Sequence, residues 1–240
     1  MATNDIPYEQ PGVVKLPQWE KGWLRAKDDG KDPQFHVKGV HPMLSKHLEQ
    51  LTGGRSGLKF LFPLCGKAVD MKWLADQGHT IVGVEGVEDG VRQFFQESDI
   101  QPTITDAPAV NGKLYQGMDG RISIYICDYF NFSSEVKGQF DAIWDRGAFV
   151  AINEADHEKY IQLMKTLLKH DGRCLMEVMN YEPSLFPGPP HHVPEDELKQ
   201  LLGGDYNMTL LDTVDHTERL GKLWNLPWIK TLYFLIKASN

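Results

Sequence analysis

Cysteine is scarce in this sequence: Cys65, Cys127 and Cys174 are the only three in 240 residues. They are widely spaced and form no C-x-x-C pair, so neither a disulfide framework nor a metal centre of the zinc type is expected. Free thiols in a reducing, cytoplasmic compartment are expected instead. Runs of Lys and Arg are missing too, since 33 acidic residues face 25 basic ones and the formal net charge is −8. Without a polybasic segment, neither nucleic acid nor an anionic membrane is expected as a partner. No apolar run approaches the roughly 20 residues that span a bilayer, and no basic-then-apolar leader opens the chain. These absences lead to the expectation of a soluble monomer that works on a small molecule.

With 41% hydrophobic and 24% charged residues, the composition is that of a folded chain, and its length lies near the upper end of what one core supports. Residues 1–17, with Pro7, Pro11, Gly12 and Pro17 among polar neighbours, read as a flexible N-terminal arm, and residues 18–240 as a single domain. Pro17 to Ala26 predicts a short helix with Trp19 and Trp23 on one face. A second helix follows His41-Pro42 and runs to Gly53-Gly54; the first 40 residues read as a cap. From residue 58, short apolar runs alternate with amphipathic stretches, the pattern of β-α-β units around a mostly parallel sheet. Strands are expected at 58–62, 80–85, 122–127, 140–144 and 173–179, with helices at 68–77, 90–97, 154–170 and 195–202. Segments 208–214 and 231–236 look like a closing antiparallel pair. The expected fold is α/β and Rossmann-like: a seven-stranded, mostly parallel sheet with helices on both faces and an N-terminal helical cap.

The segment F-L-F-P-L-C-G-K at 60–67 runs from a strand through a tight turn into a helix. In open α/β sheets that position binds ligands, because loop N–H groups and helix N-termini converge there. A dinucleotide fingerprint would need G-x-G-x-x-G; this loop has only Gly66, so NAD and FAD are disfavoured. One close approach at Gly66 beside apolar Leu64 suits a ligand with amino-acid and nucleoside portions and no phosphate. Glu85 ends the second strand 19 residues beyond Gly66 (85 − 66 = 19), where a carboxylate can accept both hydroxyls of a ribose. Asp128, just past the third strand, could accept the exocyclic amine of an adenine, with Tyr129 offering an aromatic face. Each acid alone is as well read as a helix cap or a loop acid; the three features together fit adenosine. D-A-I-W-D-R-G-A at 141–148 brings Asp145 and Arg146 to the same sheet edge. Arg146 could hold a ligand carboxylate bidentately or steady an anionic nucleophile, and both roles stay open. The loop at 180–194 holds five prolines and reads as a stiff lid that places Phe186, His191 and His192 near a substrate. Two adjacent histidines without a further ligand cluster do not make a metal site. Arg219 is a further cation within reach of substrate, against the alternative of an ion pair with Glu218 or Asp215.

These residues resemble the thiopurine S-methyltransferase family over nearly the whole chain from Trp19 onward. The matching pieces are Trp19, Trp23 and Phe35, F-P-L-C-G-K-A-V-D-M-K-W-L-A-D-Q-G-H at 62–79, V-G-V-E at 82–85, I-W-D-R-G-A at 143–148 with V-A-I-N after it, and P-G-P-P at 187–190. The resemblance implies the class I methyltransferase fold, S-adenosyl-L-methionine as cofactor and methyl transfer to the sulfur of thiopurines and related thiols. Carried over by position, Trp19, Trp23, Phe35, Leu64, Gly66, Glu85 and Arg146 would touch the cofactor, with Asp128 and Tyr129 at the adenine and Arg146 and Arg219 as catalytic cations. His191 and His192 fall where vertebrate members carry aromatic residues, and the gap from Trp23 to Phe35 is longer than theirs. Other thiol, selenium or tellurium acceptors, or a protein that binds the cofactor without turnover, are the alternatives.

Overall fold

The computed structural model of the protein describes residues 11–239. Among them, the strands are β1 (Lys59–Pro63), β2 (Thr80–Glu85), β3 (Thr103–Ala107), β4 (Gly112–Gly117), β5 (Ile122–Ile126), β6 (Phe140–Asp145), β7 (Leu168–Tyr181), β8 (Tyr206–Asp215) and β9 (Ile229–Ala238). They form one sheet in the order β3-β4-β5-β2-β1-β6-β7-β9-β8. The central pairs β5-β2, β2-β1, β1-β6 and β6-β7 are parallel. The outer pairs β3-β4, β4-β5, β7-β9 and β9-β8 are antiparallel. The helices are α1 (Leu16–Asp28), α2 (Pro42–Lys46), α3 (Leu48–Thr52), α4 (Val69–Asp76), α5 (Glu88–Glu97), α6 (Ser134–Lys137), α7 (His157–Leu167), α8 (Glu195–Leu202) and α9 (Lys222–Trp224).

The parallel strands read as continuous apolar runs because both of their faces are covered. Along β1, Phe60 and Phe62 join a core with α2 to α5 through Leu44, Leu51, Met71, Leu74 and Phe94. Leu61, between them, joins the opposite core with α7 and α8 through Tyr160, Met164, Leu167 and Leu198. Helices therefore cover both faces, as the pattern predicts, and among the described residues no helix is long and apolar enough to cross a membrane.

The sequence predicts seven mostly parallel strands; the structure has nine in a mixed sheet. The two additional strands, β3 and β4, make a hairpin at one sheet edge. Four of the five β3 residues are exposed, so no buried face imposed an apolar alternation on them. The helix expected after His41-Pro42 is two, because His47 leaves helical geometry (φ −107, ψ 15) and places Nε2 3.1 Å from Asp212 Oδ2. Residues 1–10 of the expected arm lie outside the described residues. Regular structure starts before Trp19: α1 begins at Leu16, and buried Val14 exchanges two backbone hydrogen bonds with the Asn153 amide, at 2.9 and 3.1 Å.

Asp145 corrects another expectation. It ends β6 fully buried, accepting from Tyr160 Oη at 2.5 Å and from Phe149 N at 3.0 Å; it faces the core, and Arg146 alone of that pair borders the cavity described below. Burial pushes its carboxyl up to about 6 despite those hydrogen bonds. Because the folded chain holds this proton more tightly than the unfolded chain, the associated stability is complete below pH 4 and is lost as pH rises through 6. A rise from 3.8 to about 6 corresponds to about 3 kcal/mol. Denaturant unfolding of wild type and Asp145→Asn should therefore show the wild-type advantage shrinking by about that amount between pH 4 and 7; a pH-independent difference would contradict the assignment.

Candidate active site

The C-terminal ends of β1, β2, β5, β6 and β7 open into a cavity of about 670 Å³ beneath the α1 cap, within the range of roughly 300–1,000 Å³ usual for small-molecule sites. The turn after β1 carries Leu64 and Gly66 in the left-handed region, at φ 43 and φ 49. Gly66 meets a specific demand. A side chain there would lie 3.1 Å from the Trp23 indole, and one at Gly90 of α5 would lie 3.0 Å from the same ring. The two glycines thus let Trp23 wedge between the β1 turn and α5, with 3% of its surface exposed.

Glu85, at the end of β2, is buried and lines the cavity. Its Oε2 accepts from Gly66 N at 2.7 Å and its Oε1 from Val87 N at 2.9 Å. Burial raises its pKa, and those backbone donors oppose the rise. Gly86 N also draws on the carboxylate, and the acceptor capacity that remains faces the cavity, where it can take a hydroxyl donor. Asp128, exposed at the rim, uses Oδ1 to accept from Phe130 N at 2.9 Å. Tyr129 borders the cavity with its ring packed 5.0 Å from that of Tyr160.

The cap supplies an aromatic wall. Phe35 stands edge-on to Trp19 and Trp23, with centroids 5.8 and 5.4 Å apart. The loop carrying Phe35 is tied down at three points. Lys67 Nζ, its side chain 2% exposed, reaches Asp32 at 2.5 Å and Glu97 of α5 at 2.6 Å. The backbone N–H of His41 donates to Asp70 Oδ1 at 2.7 Å. Arg146 Nη1 donates to the Phe35 carbonyl. The other side of the Arg146 guanidinium faces the buried Glu177 carboxylate, with Nε and Oε1 3.6 Å apart.

Arg219 also lines the cavity. Neither Glu218 nor Asp215 pairs with it: Glu218 takes Lys222 at 2.6 Å, and Asp215 accepts from Thr217 N at 2.8 Å. The lid expectation holds only in part. Pro189 and Pro190 border the cavity, whereas His191 and His192 turn away from it. His191 is buried 6.1 Å from the His157 ring, and His192 Nδ1 accepts from Tyr181 N at 3.2 Å. Phe186 stacks on Trp224, with centroids 4.9 Å apart.

Several cavity residues escaped the sequence reading, Glu177, Lys67, Asn153 and the thiols Cys65 and Cys127 among them. Glu177 carried the clearest signal, a lone charge in the apolar run C-L-M-E-V-M of a buried strand. Lys67 and Asn153 act through long-range contacts that no local pattern encodes. Cys65 lines the cavity together with Cys127; both are buried free thiols.

Solved structures share this fold. A Burkholderia thailandensis 1,6-didemethyltoxoflavin-N1-methyltransferase with bound S-adenosylhomocysteine superposes with a TM-score of 0.60 at 18% identity, covering 98% of this chain and 94% of that one. Haemonchus contortus phosphoethanolamine N-methyltransferase 2 in complex with S-adenosyl-L-methionine gives 0.62 at 10% identity, covering 95% and 61%. The fold, with its cavity at the parallel strand ends, is that of the S-adenosylmethionine-dependent methyltransferases. Residues 14–237 match the family described as Thiopurine S-methyltransferase (TPMT). A probable thiopurine S-methyltransferase of Danio rerio is 43% identical over 231 residues, 95% of this chain and 97% of its own. The Mus musculus thiopurine S-methyltransferase is 40% identical over 233 residues, 96% and 95% of the two chains. The chain belongs to the thiopurine S-methyltransferase family.

Replacing Lys67 with Met removes a buried cation from between two partly exposed carboxylates, Asp32 and Glu97, and leaves them facing each other. About 1–3 kcal/mol of stability should be lost, with faster amide hydrogen exchange concentrated over residues 31–38. Unchanged exchange in that segment would show that Lys67 does not anchor it.

Proposed function

We propose that this chain, through one domain over residues 18–240, transfers the methyl group of S-adenosyl-L-methionine to the sulfur of aromatic or heterocyclic thiols such as thiopurines, releasing S-adenosyl-L-homocysteine. Three buried thiols fit a reducing, cytoplasmic setting. The observation that carries the reading is the Glu85 carboxylate, clamped to the β1 turn under an aromatic cap. A buried acid with lone pairs still open towards a cavity suits a ribose, and the donor-poor apolar wall of Leu64, Trp19 and Phe35 suits the uncharged parts of the cofactor.

Glu85 would hold the ribose hydroxyls, while Asp128, with Oδ2 free of the bond to Phe130, would receive the adenine amine. The Gly66 backbone would line the amino-acid portion, with Arg146 at the border between it and the acceptor. When bound, S-adenosylmethionine supplies a methyl group on a positively charged sulfur. No strong base is then required of the protein, because an aromatic thiol is already acidic. Arg219 favours its thiolate by opposite charge. Trp19, Trp23 and Phe35, which wall the cavity, would exclude water from the bound cofactor, which would strengthen that attraction and limit the acceptor's freedom to move.

Two outcomes are expected. Calorimetric titration of Glu85→Gln with S-adenosylmethionine should show roughly ten- to hundredfold weaker binding, equivalent to about 1.5–3 kcal/mol for a charge-assisted hydrogen bond; an unchanged affinity would remove Glu85 from the ribose role. With 6-mercaptopurine as acceptor, S-methylation should be observed for wild type, and Arg219→Ala should lower kcat/KM by about tenfold with the active limb of the pH profile moved upward. Turnover confined to aliphatic thiols or selenide would reassign the acceptor.

A further inference from the structure

Glu177 is a charge that the methyl-transfer chemistry leaves unexplained. Its side chain is 3% exposed on β7, opposite Tyr233 of the antiparallel β9, where an apolar residue would be cheaper to bury, and it borders the cavity. Tyr233 Oη donates to its Oε2 at 2.8 Å. His41 Nε2 lies 3.6 Å from the same oxygen. His41 Nδ1 accepts from Met43 N at 3.3 Å, so the ring proton sits on Nε2 and faces Glu177. Arg146 Nε lies 3.6 Å from Oε1. Asp145 and His216 are also within its electrostatic reach.

The strand order divides the cavity. The turns after β1, β2 and β5 form the half where Gly66, Glu85 and Asp128 meet. Across β6 lies the other half, bordered by β7, by Pro189 and Pro190, and by the β8–β9 connection carrying Arg219. With the nucleoside in the first half, the acceptor must occupy the second, where Arg146, Glu177 and Arg219 line the wall and Asp156 is a further acid that, among the described residues, pairs with neither arginine. Among the described residues Arg219 has no carboxylate partner, whereas Arg146 has Glu177.

We propose that Glu177 determines acceptor specificity: it cancels the charge of Arg146, leaves one uncompensated cation in the acceptor half, and so fits the pocket to thiols whose only negative charge is the thiolate. Thiols that carry an additional carboxylate are selected against. Glu177 acts through Arg146 and so is a positioning residue. The inference rests on the thiol-methylation reading.

The test compares kcat/KM for 2-mercaptobenzoate with that for benzenethiol, alongside calorimetric affinity for each thiol in the presence of S-adenosylhomocysteine. In Glu177→Gln, which keeps the side-chain volume, both ratios should shift by about tenfold towards the carboxylate-bearing thiol, as expected for one nearby charge at low effective dielectric. Tyr233→Phe, which removes a hydrogen bond and no charge, should leave the ratios where they are. Arg146→Ala should shift them towards benzenethiol, and adding Glu177→Gln to it should bring them back. The double variant buries neither partner alone, so it also serves if the single Glu177 variant does not fold. Ratios unmoved by Glu177→Gln, or a double variant that stays at the Arg146→Ala value, would overturn the proposal. Failure of the wild type to methylate either thiol would instead sink the reading on which it rests.

Discussion

Parallel pairing of β1 with β2 sets two turns side by side, and everything at the mouth of the sheet depends on one carboxylate holding them together. Glu85 takes a backbone N–H from each turn. A buried acid is tolerable only with such donors, so the β1 turn cannot relax without exposing Glu85, and Glu85 cannot leave without orphaning two N–H groups. Trp23 then fills the space that Gly66 and Gly90 leave, and it can do so only while the β1 turn keeps its place. The cap is thereby positioned by the same contact that shapes the floor beneath it.

Charged side chains do the rest of the fastening, and each joins parts of the chain that are far apart in sequence. Lys67 connects the cap loop to α5. Arg146 links that loop to the core side of the cavity, between the Phe35 carbonyl and Glu177. Asn153 closes on Val14, across 139 residues. The aromatic wall made by Trp19, Trp23 and Phe35 is built from residues with little support of their own, and these polar ties hold it over the strand ends.

Legibility in the sequence followed burial. The central strands and the helices on both faces were readable, because two-sided burial demands long apolar runs and one-sided burial demands a helical stripe. The β3–β4 hairpin was not, since its outer strand lies at an open edge where nothing selects for hydrophobicity. Glu85, Gly66 and Arg146 were found because spacing along a β-α-β unit fixes which residues reach the strand ends. Asp145 was misplaced beside Arg146, although neighbouring residues of a strand point to opposite faces; only one of the two could have faced the cavity. His191 and His192 were misplaced because a proline-rich loop fixes a path for the backbone without saying which side chains turn inward, and here Pro189 and Pro190 do. Glu177 could have been found from its charge alone, but its partners Arg146, His41 and Tyr233 come from three distant segments.

The buried cysteines have a consequence for an enzyme of this class. Cys65 and Cys127 border the cavity in which a reactive methyl donor would sit, and sulfur is the very atom that the enzyme alkylates. Burial pushes the Cys65 thiol well above its ordinary pKa and that of Cys127 up to about 12, with the negative charges of Glu85 and Asp128 nearby acting in the same direction. Held as neutral thiols, with no cation among the described residues drawing out the thiolate, they are poor nucleophiles. The electrostatic contrast proposed to activate a guest sulfur beside arginine would protect the resident sulfurs from self-alkylation.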